Sequence, residues 1–343
     1  MTGASPGDRL SSLLRAPKGA TAVAIAVVHG DERTVLCAGT AEPGTRFETG
    51  SLTKTFTALL LAELAARGEV GYDDPLDRYL PHRLPGPPIT LLHLATHTSG
   101  LPRMPLGLMR RSPVHSWFSN PYATFTSSDA LAALTRTRLH HRPGTHVRYS
   151  NYGAGLLGHA LAHAAGGHGS DYANLLNERV LAPLGLTDTD CDPHRPQAVG
   201  HWHGRPRPAL LIPGLPAAGA LRSSARDLLH YLQALLVPDT AGSPSLRAAL
   251  ADVQRPRLAL PRTGNRHCLL WNLRPRNGRP LLHHSGTTRG FTAFAGFLPR
   301  SGTALAALAN TTPAPTGSFV QAAYETLCYL EKTAPRSHHT GMC

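Results

Sequence analysis

Apolar and polar positions follow two different periods along the chain, and the period changes in blocks. Thr21 to Val28 (TAVAIAVV) is a short apolar run rich in β-branched residues, and Thr34 to Ala38 (TVLCA) resumes it after Gly30-Asp31. That pattern predicts a β-hairpin turning around His29 to Glu32, with Arg46 to Glu48 as a short third strand. From Ser51 the period becomes helical. Phe56, Leu59, Leu60, Leu61 and Leu64 stand among alanines, and Gly68 follows Ala66-Arg67, so a helix apolar on most faces ends in a glycine cap.

From Asp73 to Pro256 the pattern is one of helices and loops. Helices are predicted at Leu91 to Thr96, Ser128 to Thr135, Tyr152 to Ala165, Ser170 to Val180 and Ser224 to Leu236, the last with Ser223 or Ser224 as N-cap and Asp227 in its first turn. Strand patterns return after Arg257, at His267 to Leu273, Pro280 to His284, Phe291 to Leu298 and Thr303 to Leu308. Phe319 to Tyr329 has helical period, and Lys332 to Cys343 reads as a polar, disordered tail. The order predicts an α+β fold: one antiparallel sheet flanked by helices and built from both chain ends (1–75 and 257–343), with a mostly helical lobe inserted at 76–256 and a cleft between the two.

Composition narrows this picture. A length of 343 residues suits one large catalytic domain of two lobes, and Gly 33 and Pro 30 indicate many defined turns. No apolar stretch approaches the roughly 18 residues of a membrane span, and Met1 to Arg15 lacks a basic start followed by an apolar run. Cys37, Cys191, Cys268, Cys328 and Cys343 are odd in number and widely separated, which argues against a disulfide framework or zinc site and, with no export signal in view, predicts a cytoplasmic protein.

A formal charge of +13 suggests nucleic acid, but the arginines are scattered and aromatic content is 6%. The charge reads as a solvated basic surface that steers acidic substrates or an acidic carrier, with neither nucleic acid nor membrane as a partner. The pairs His140-His141, His283-His284 and His338-His339 lack metal-ligand spacing, and His201 and His203 flank Trp202 in a Pro- and Gly-rich loop. Neither a metal nor a cofactor is expected.

Candidate chemistry begins at Ser51-Leu52-Thr53-Lys54. Serine and lysine three apart share a helix face, and a serine at a helix start has backbone N–H groups and the positive dipole end beside it. A lysine takes a proton only when burial or nearby cations lower its pKa. The choice of residue is informative: three of the 34 Lys and Arg residues are lysine (Lys18, Lys54, Lys332), and arginine cannot serve as a base. Two later elements stand out. Tyr149-Ser150-Asn151 opens the helix from Tyr152; taken alone it is an N-cap with flanking aromatics, but a tyrosine beside two cations is expected to have its pKa pulled down from about 10. Asn151 offers an amide to a substrate carbonyl. His284-Ser285-Gly286-Thr287 closes a predicted strand; alone it is a hairpin with a buried histidine, though its small residues let backbone N–H groups face a substrate.

S-x-x-K, then Y-x-N, then H-x-G in this order resembles the superfamily of class C β-lactamases, DD-peptidases and serine esterases. Phe47 to Ser51 (FETGS), Leu91 to Pro102 (LLHLATHTSGLP), Arg142-Pro143-Gly144, Gly219 to Asp227 (GALRSSARD) and Ala306 to Asn310 (AALAN) resemble its secondary signatures along nearly the whole chain. The resemblance implies a β-lactamase and penicillin-binding-protein transpeptidase-like fold. It implies Ser51 as nucleophile, Lys54 and Tyr149 as shared base and acid, Asn151 as a substrate amide contact, His284 at a position that is lysine in many β-lactamases and histidine in relatives, and an oxyanion hole at the N–H groups of Ser51 and Thr287.

No obvious class A deacylation glutamate is present, so a tyrosine-based scheme is expected. Arg289 departs from the small or amide residues usual near the oxyanion turn; recognition of a carboxylate or phosphate and simple solvation are both open. Trp202, His203 and Arg103 are further cleft candidates. The expected activity is hydrolysis of a small-molecule ester or amide, or of a D-amino-acid-type peptide, through an acyl-enzyme. The alternatives are acyl transfer in secondary metabolism and an acylatable sensor without turnover.

Overall fold

The computed structural model describes residues 5–82, 86–112, 114, 120–166, 171–260, 263–276, 278–312 and 318–333. In chain order the N-terminal part supplies α1 (Pro6–Arg15), β1 (Ala22–His29), β2 (Glu32–Gly39), β3 (Phe47–Glu48) and α2 (Thr53–Ala66). The middle contains α3 (Leu91–Ala95), α4 (Leu108–Arg111), α5 (Ser127–Leu134), α6 (Asn151–Gly166), α7 (Tyr172–Leu176), β4 (Gly200–Trp202), β5 (Arg205–Arg207), α8 (Pro216–Gly219), β6 (Arg222–Ser223), α9 (Ala225–Leu236) and α10 (Pro244–Asp252). The chain returns through β7 (Leu258–Ala259), β8 (Arg266–His267), β9 (Asn272–Arg274), β10 (Leu281–Thr287), β11 (Thr292–Leu298), β12 (Thr303–Ala309) and α11 (Ser318–Thr333).

Eight strands form one sheet in the order β2-β1-β12-β11-β10-β9-β8-β7, and each neighbouring pair is antiparallel. Its centre is apolar on both faces, for a reason visible in β1. Val23, Ile25 and Val27 join Leu305, Phe294, Leu327 and Leu13 in one core, under α1 and α11. Ala22, Ala24, Ala26 and Val28 face the other core, with Phe56, Leu228 and Leu232. The period-2 alternation therefore separates two apolar sets rather than an apolar and a polar one. The small alanines of the second set let helices approach closely.

Helix α2 runs through the middle of the protein, and every residue from Thr53 to Leu64 is buried. Its threonines are satisfied locally: Thr53 Oγ1 donates to Gly50 O at 2.7 Å, and Thr55 Oγ1 donates to Leu52 O at 2.9 Å. The helix ends as the glycine pattern predicts, with Gly68 at φ +74° and its N–H donating to Ala65 O at 3.0 Å.

Several elements differ from the sequence expectation. The strand expected at 46–48 forms, but β3 pairs with β6 instead of joining the main sheet, tying the chain before Ser51 to Arg222 and Ser223. Buried Arg222 and Glu48 approach to 3.9 Å there, and both are further held by hydrogen bonds, Arg222 to Gln197 and the carbonyls of Ala220 and Leu210, and Glu48 from Gln197 and Leu210 N. The boundary at 256 puts α9 in the helical lobe, yet α9 packs on β1 and β12, because Leu228, Leu232 and Leu235 make an apolar stripe matching that face of the sheet.

The strand expected at 267–273 is broken in two, since Cys268 to Trp271 turn back on themselves, with Cys268 N bonded to Trp271 O at 3.0 Å. Trp271 packs edge-on against Phe297 in the core (centroids 5.3 Å), and Leu270 beside it adopts φ +53°. An apolar run without a turn residue gave no sign of this reversal. The loop expected around Trp202 is the β4–β5 hairpin. Helices α1 and α10 went unread, although Ser5-Pro6-Gly7-Asp8 is a capping box with proline in the first turn, and Ser243-Pro244 caps α10. The expected tail beyond Thr333, with Cys343 and the His338-His339 pair, and the expected helix start at Ser170 lie outside the described residues. Among the described residues no helix is long and apolar enough to cross a membrane.

Candidate active site

Ser51 lies in a single tight turn, Gly50–Leu52, that leads directly into α2. Leu52 N donates to Thr49 O at 3.2 Å, and Thr49 Oγ1 donates to Leu221 O at 2.8 Å, so the backbone at Ser51 is fixed from both sides. One turn on, Lys54 Nζ is 3.1 Å from Ser51 Oγ and donates to Ala218 O at 2.6 Å. Lys54 is wholly buried, and desolvation, helped by the nearby Arg103 cation, brings its pKa down to about 7. The amine is thus poised between its charged and neutral forms at neutral pH.

Tyr149 comes from the loop before α6, and its hydroxyl donates to Ser51 Oγ at 2.6 Å. Two cations flank its ring as the sequence reading expects: Lys54 Nζ is 5.0 Å and the Arg103 guanidinium 5.2 Å from the ring centre. The expected consequence is overturned. Burial outweighs both the hydrogen bond and the Arg103 cation, so the Tyr149 pKa is raised and the phenol keeps its proton at neutral pH. Lys54 is the member of the pair that is free to accept a proton.

The third wall is β10. His284 is buried, and desolvation, followed by the Lys54 cation, lowers its pKa to about 3, so its ring is neutral. Its Nδ1 lies 2.8 Å from Ser285 O. Gly286 is required by contact: a methyl there would stand 1.9 Å from Thr49 O and 2.9 Å from Ser51 N. Reciprocally, Gly50 adopts φ +51°, and a methyl on it would stand 2.8 Å from Thr287 N. The two glycines bring the backbones at Ser51 and Thr287 side by side, where the resemblance puts an oxyanion hole. Gly286→Ala is expected to push β10 off the Ser51 turn, with activity falling at least about a hundredfold, as for loss of an oxyanion donor, and a lowered melting temperature. Steady-state kinetics and thermal unfolding read both.

Ser51, Tyr149, His284, Gly286, Thr287 and Arg103 line one cavity of about 410 Å³ together with His97, Val147, His267, Leu270, Asn272 and Ser285. Asn151 is not among its lining residues. Its Nδ2 points to Tyr122 Oη at 3.4 Å, while its Oδ1 is buried without a partner. Trp202 and His203 line a different cavity of about 430 Å³, next to Lys18 and Phe319. The Arg289 and Arg207 guanidiniums lie 5.6 Å and 5.4 Å from the Trp202 ring centre, so the structure groups Arg289 with Trp202 rather than with Ser51.

His97 was missed as a site residue. It adopts φ +58°, accepts a hydrogen bond from Ser150 N on Nδ1 at 3.3 Å, and packs its ring 4.6 Å from that of Tyr149. His97 therefore sets the height of the tyrosine. Its place in the run LLHLATHTSGLP was legible, but its role needed the fold. Among the described residues no group of three His, Cys, Asp or Glu side chains has the arrangement of a metal site.

The chain is similar to known proteins over most of its length. The profile of the family described as Beta-lactamase matches residues 10–327. The D-alanyl-D-alanine-carboxypeptidase/endopeptidase AmpH of Escherichia coli K12 is 30% identical over 320 residues, which cover 85% of this chain and 80% of that protein. A β-lactamase of Pseudomonas fluorescens is 27% identical, covering 84% and 85% of the two chains. Among solved structures, the octameric penicillin-binding protein homologue of Pyrococcus abyssi superposes with a TM-score of 0.79 at 23% identity, covering 95% of this chain and 77% of that one. A β-lactamase/D-alanine carboxypeptidase of Yersinia pestis gives 0.75 at 24% identity, covering 91% and 93%. These two structures bear on the fold.

Proposed function

The chain belongs to the β-lactamase family of serine hydrolases, and on that premise we propose that it cleaves an ester or amide of a small molecule, or a D-amino-acid-type peptide, through an acyl-enzyme on Ser51. The observation that carries this reading is the convergence on one oxygen: Lys54 Nζ at 3.1 Å and Tyr149 Oη at 2.6 Å from Ser51 Oγ, the amine brought to a pKa of about 7.

In this scheme neutral Lys54 takes the Ser51 proton as Oγ bonds to the carbonyl carbon. The N–H groups of Ser51 and Thr287 receive the developing oxyanion. Collapse breaks the bond to the leaving group, which takes the Tyr149 proton, and the Lys54 ammonium returns a proton to Tyr149. Water then attacks the acyl ester while the same two groups act in reverse. Asn151 holds the amide of the acyl arm after a rotation that frees its Nδ2 from Tyr122, and neutral His284 contacts the substrate from the opposite wall. A cytoplasmic place of action belongs to the same reading, supported by Cys37, Cys191, Cys268 and Cys328, which are unpaired among the described residues.

The test is mass spectrometry of the protein mixed with p-nitrophenyl acetate or benzylpenicillin, with and without an added amine. An adduct mapped to Ser51 that forms and turns over to free acid is the expected result. An adduct that never releases would make the protein a sensor, and a product carrying the added amine would make it an acyltransferase. The rate of acylation should also rise with pH along a limb centred near pH 7, because the neutral fraction of Lys54 falls about tenfold per unit below its pKa. A profile flat from pH 5 to 9 would remove Lys54 from the role of base.

A further inference from the structure

The wall of the Ser51 cavity carries an unusual charge pattern. No carboxylate is among its lining residues. Its three histidines are all held toward the neutral form by burial: His97 well below the usual range, His267 lowered, and His284 at about 3. Arg103 is therefore the one fixed charge among the described lining residues.

Other arginines of the protein meet carboxylates. Arg46 pairs with Asp190, Arg222 approaches Glu48 and Arg226 pairs with Asp188. Among the described residues Arg103 has no such partner; its guanidinium lies over the Tyr149 face at 5.2 Å. Its backbone is held firmly in place. The Arg103 carbonyl accepts hydrogen bonds from Asn151 N at 3.0 Å and Tyr152 N at 3.2 Å, capping the start of α6. The side chain is exposed at the cavity edge, so its donors remain open to a ligand. A cation beside Lys54 depresses that amine, and its field in a cleft free of carboxylates attracts an anion.

We propose that Arg103 selects the acyl donor, its guanidinium pairing with a carboxylate carried on the acyl arm of the ester or amide that Ser51 attacks. This rests on the acyl-enzyme reading above, and in particular on Asn151 holding the acyl arm, since the Arg103 main chain is bonded to Asn151. The planar fork of the guanidinium takes a carboxylate through two parallel N–H donors, a geometry that no neutral histidine on the wall offers.

The experiment compares kcat/KM for mono-p-nitrophenyl glutarate and p-nitrophenyl valerate, two esters of like length that differ in a terminal carboxylate. An ester with its carboxylate on the leaving group, 4-acetoxybenzoate, is the third substrate. Wild type should prefer the glutarate, and Arg103→Gln should lower the glutarate-to-valerate ratio by about tenfold to a hundredfold, the worth of a hydrogen-bonded charge pair. Arg103→Lys should retain part of the preference. An unchanged ratio in Arg103→Gln overturns the proposal, including the case in which only the acid limb moves to higher pH, for then Arg103 tunes Lys54 and selects nothing. A loss confined to the acetoxybenzoate overturns it too, by placing the anion on the leaving group. Failure of the underlying reading shows separately: wild type would then form no Ser51 adduct with the valerate.

Discussion

Ser51→Ala should abolish acyl-enzyme formation and lower kcat/KM by about ten-thousandfold or more on any ester the wild type cleaves, since removal of a nucleophile leaves only the binding and oxyanion contributions. The fold should be untouched. Among the described residues the Ser51 hydroxyl bonds to Lys54 and Tyr149 alone, and alanine fits the turn that holds it. Its melting temperature should match or exceed that of wild type, and an intact mass after p-nitrophenyl acetate should show no acetyl group. Full activity in this variant would mean that another residue is the nucleophile, and the mechanism would be wrong.

The second large effect belongs to Lys54. Lys54→Arg keeps the charge but has no accessible neutral form, and Lys54→Met keeps the approximate length but has no nitrogen. Both should lose about a thousandfold in acylation, within the range for a positioned base, and neither should show the limb near pH 7. The fully buried amine separates function from stability.

Its pKa is about 7 in the fold against 10.5 ordinarily, so below pH 10.5 the unfolded chain binds more protons than the folded one. The penalty grows as pH falls from 10.5 to about 7 and is constant below. Lys54→Met removes it, at the pH-independent cost of leaving Ala218 O without its donor. The melting temperature of Lys54→Met relative to wild type should therefore be higher at pH 6 than at pH 10. An offset equal at both would mean that Lys54 titrates normally in the fold, and with it the argument for a neutral base would fall.

Tyr149 shows where the reading of residues in isolation failed. Two cations beside a phenol predict a lowered pKa, and both cations are present. Burial, which spacing does not reveal, reverses the sign. The same limit applies to Trp202 and Arg289. The sequence offered Trp202 as a cleft residue and Arg289 as a neighbour of the oxyanion turn; the Arg289 guanidinium instead lies 5.6 Å from the Trp202 ring centre, and Trp202 lines a different cavity. Arg103, offered as a cleft residue with Trp202 and His203, does line the Ser51 cavity, and its carbonyl caps a helix that begins almost fifty residues later in the chain, at Asn151.

By itself the sequence determined the local elements whose period or punctuation is strong: the β1–β2 hairpin, the apolar α2 with its glycine cap, and the strands β10, β11 and β12. It also determined the Ser51–Lys54 pair, because residues three apart on a helix are neighbours whatever the rest of the chain does. Only the tertiary structure decided that burial lowers the Lys54 pKa and raises that of Tyr149, how the turn at Gly50 and the strand at Gly286 meet, and which cations lie near Ser51. Those outcomes depend on desolvation and on contacts between segments far apart in the chain. Both are properties of the packed interior, and no periodicity encodes them.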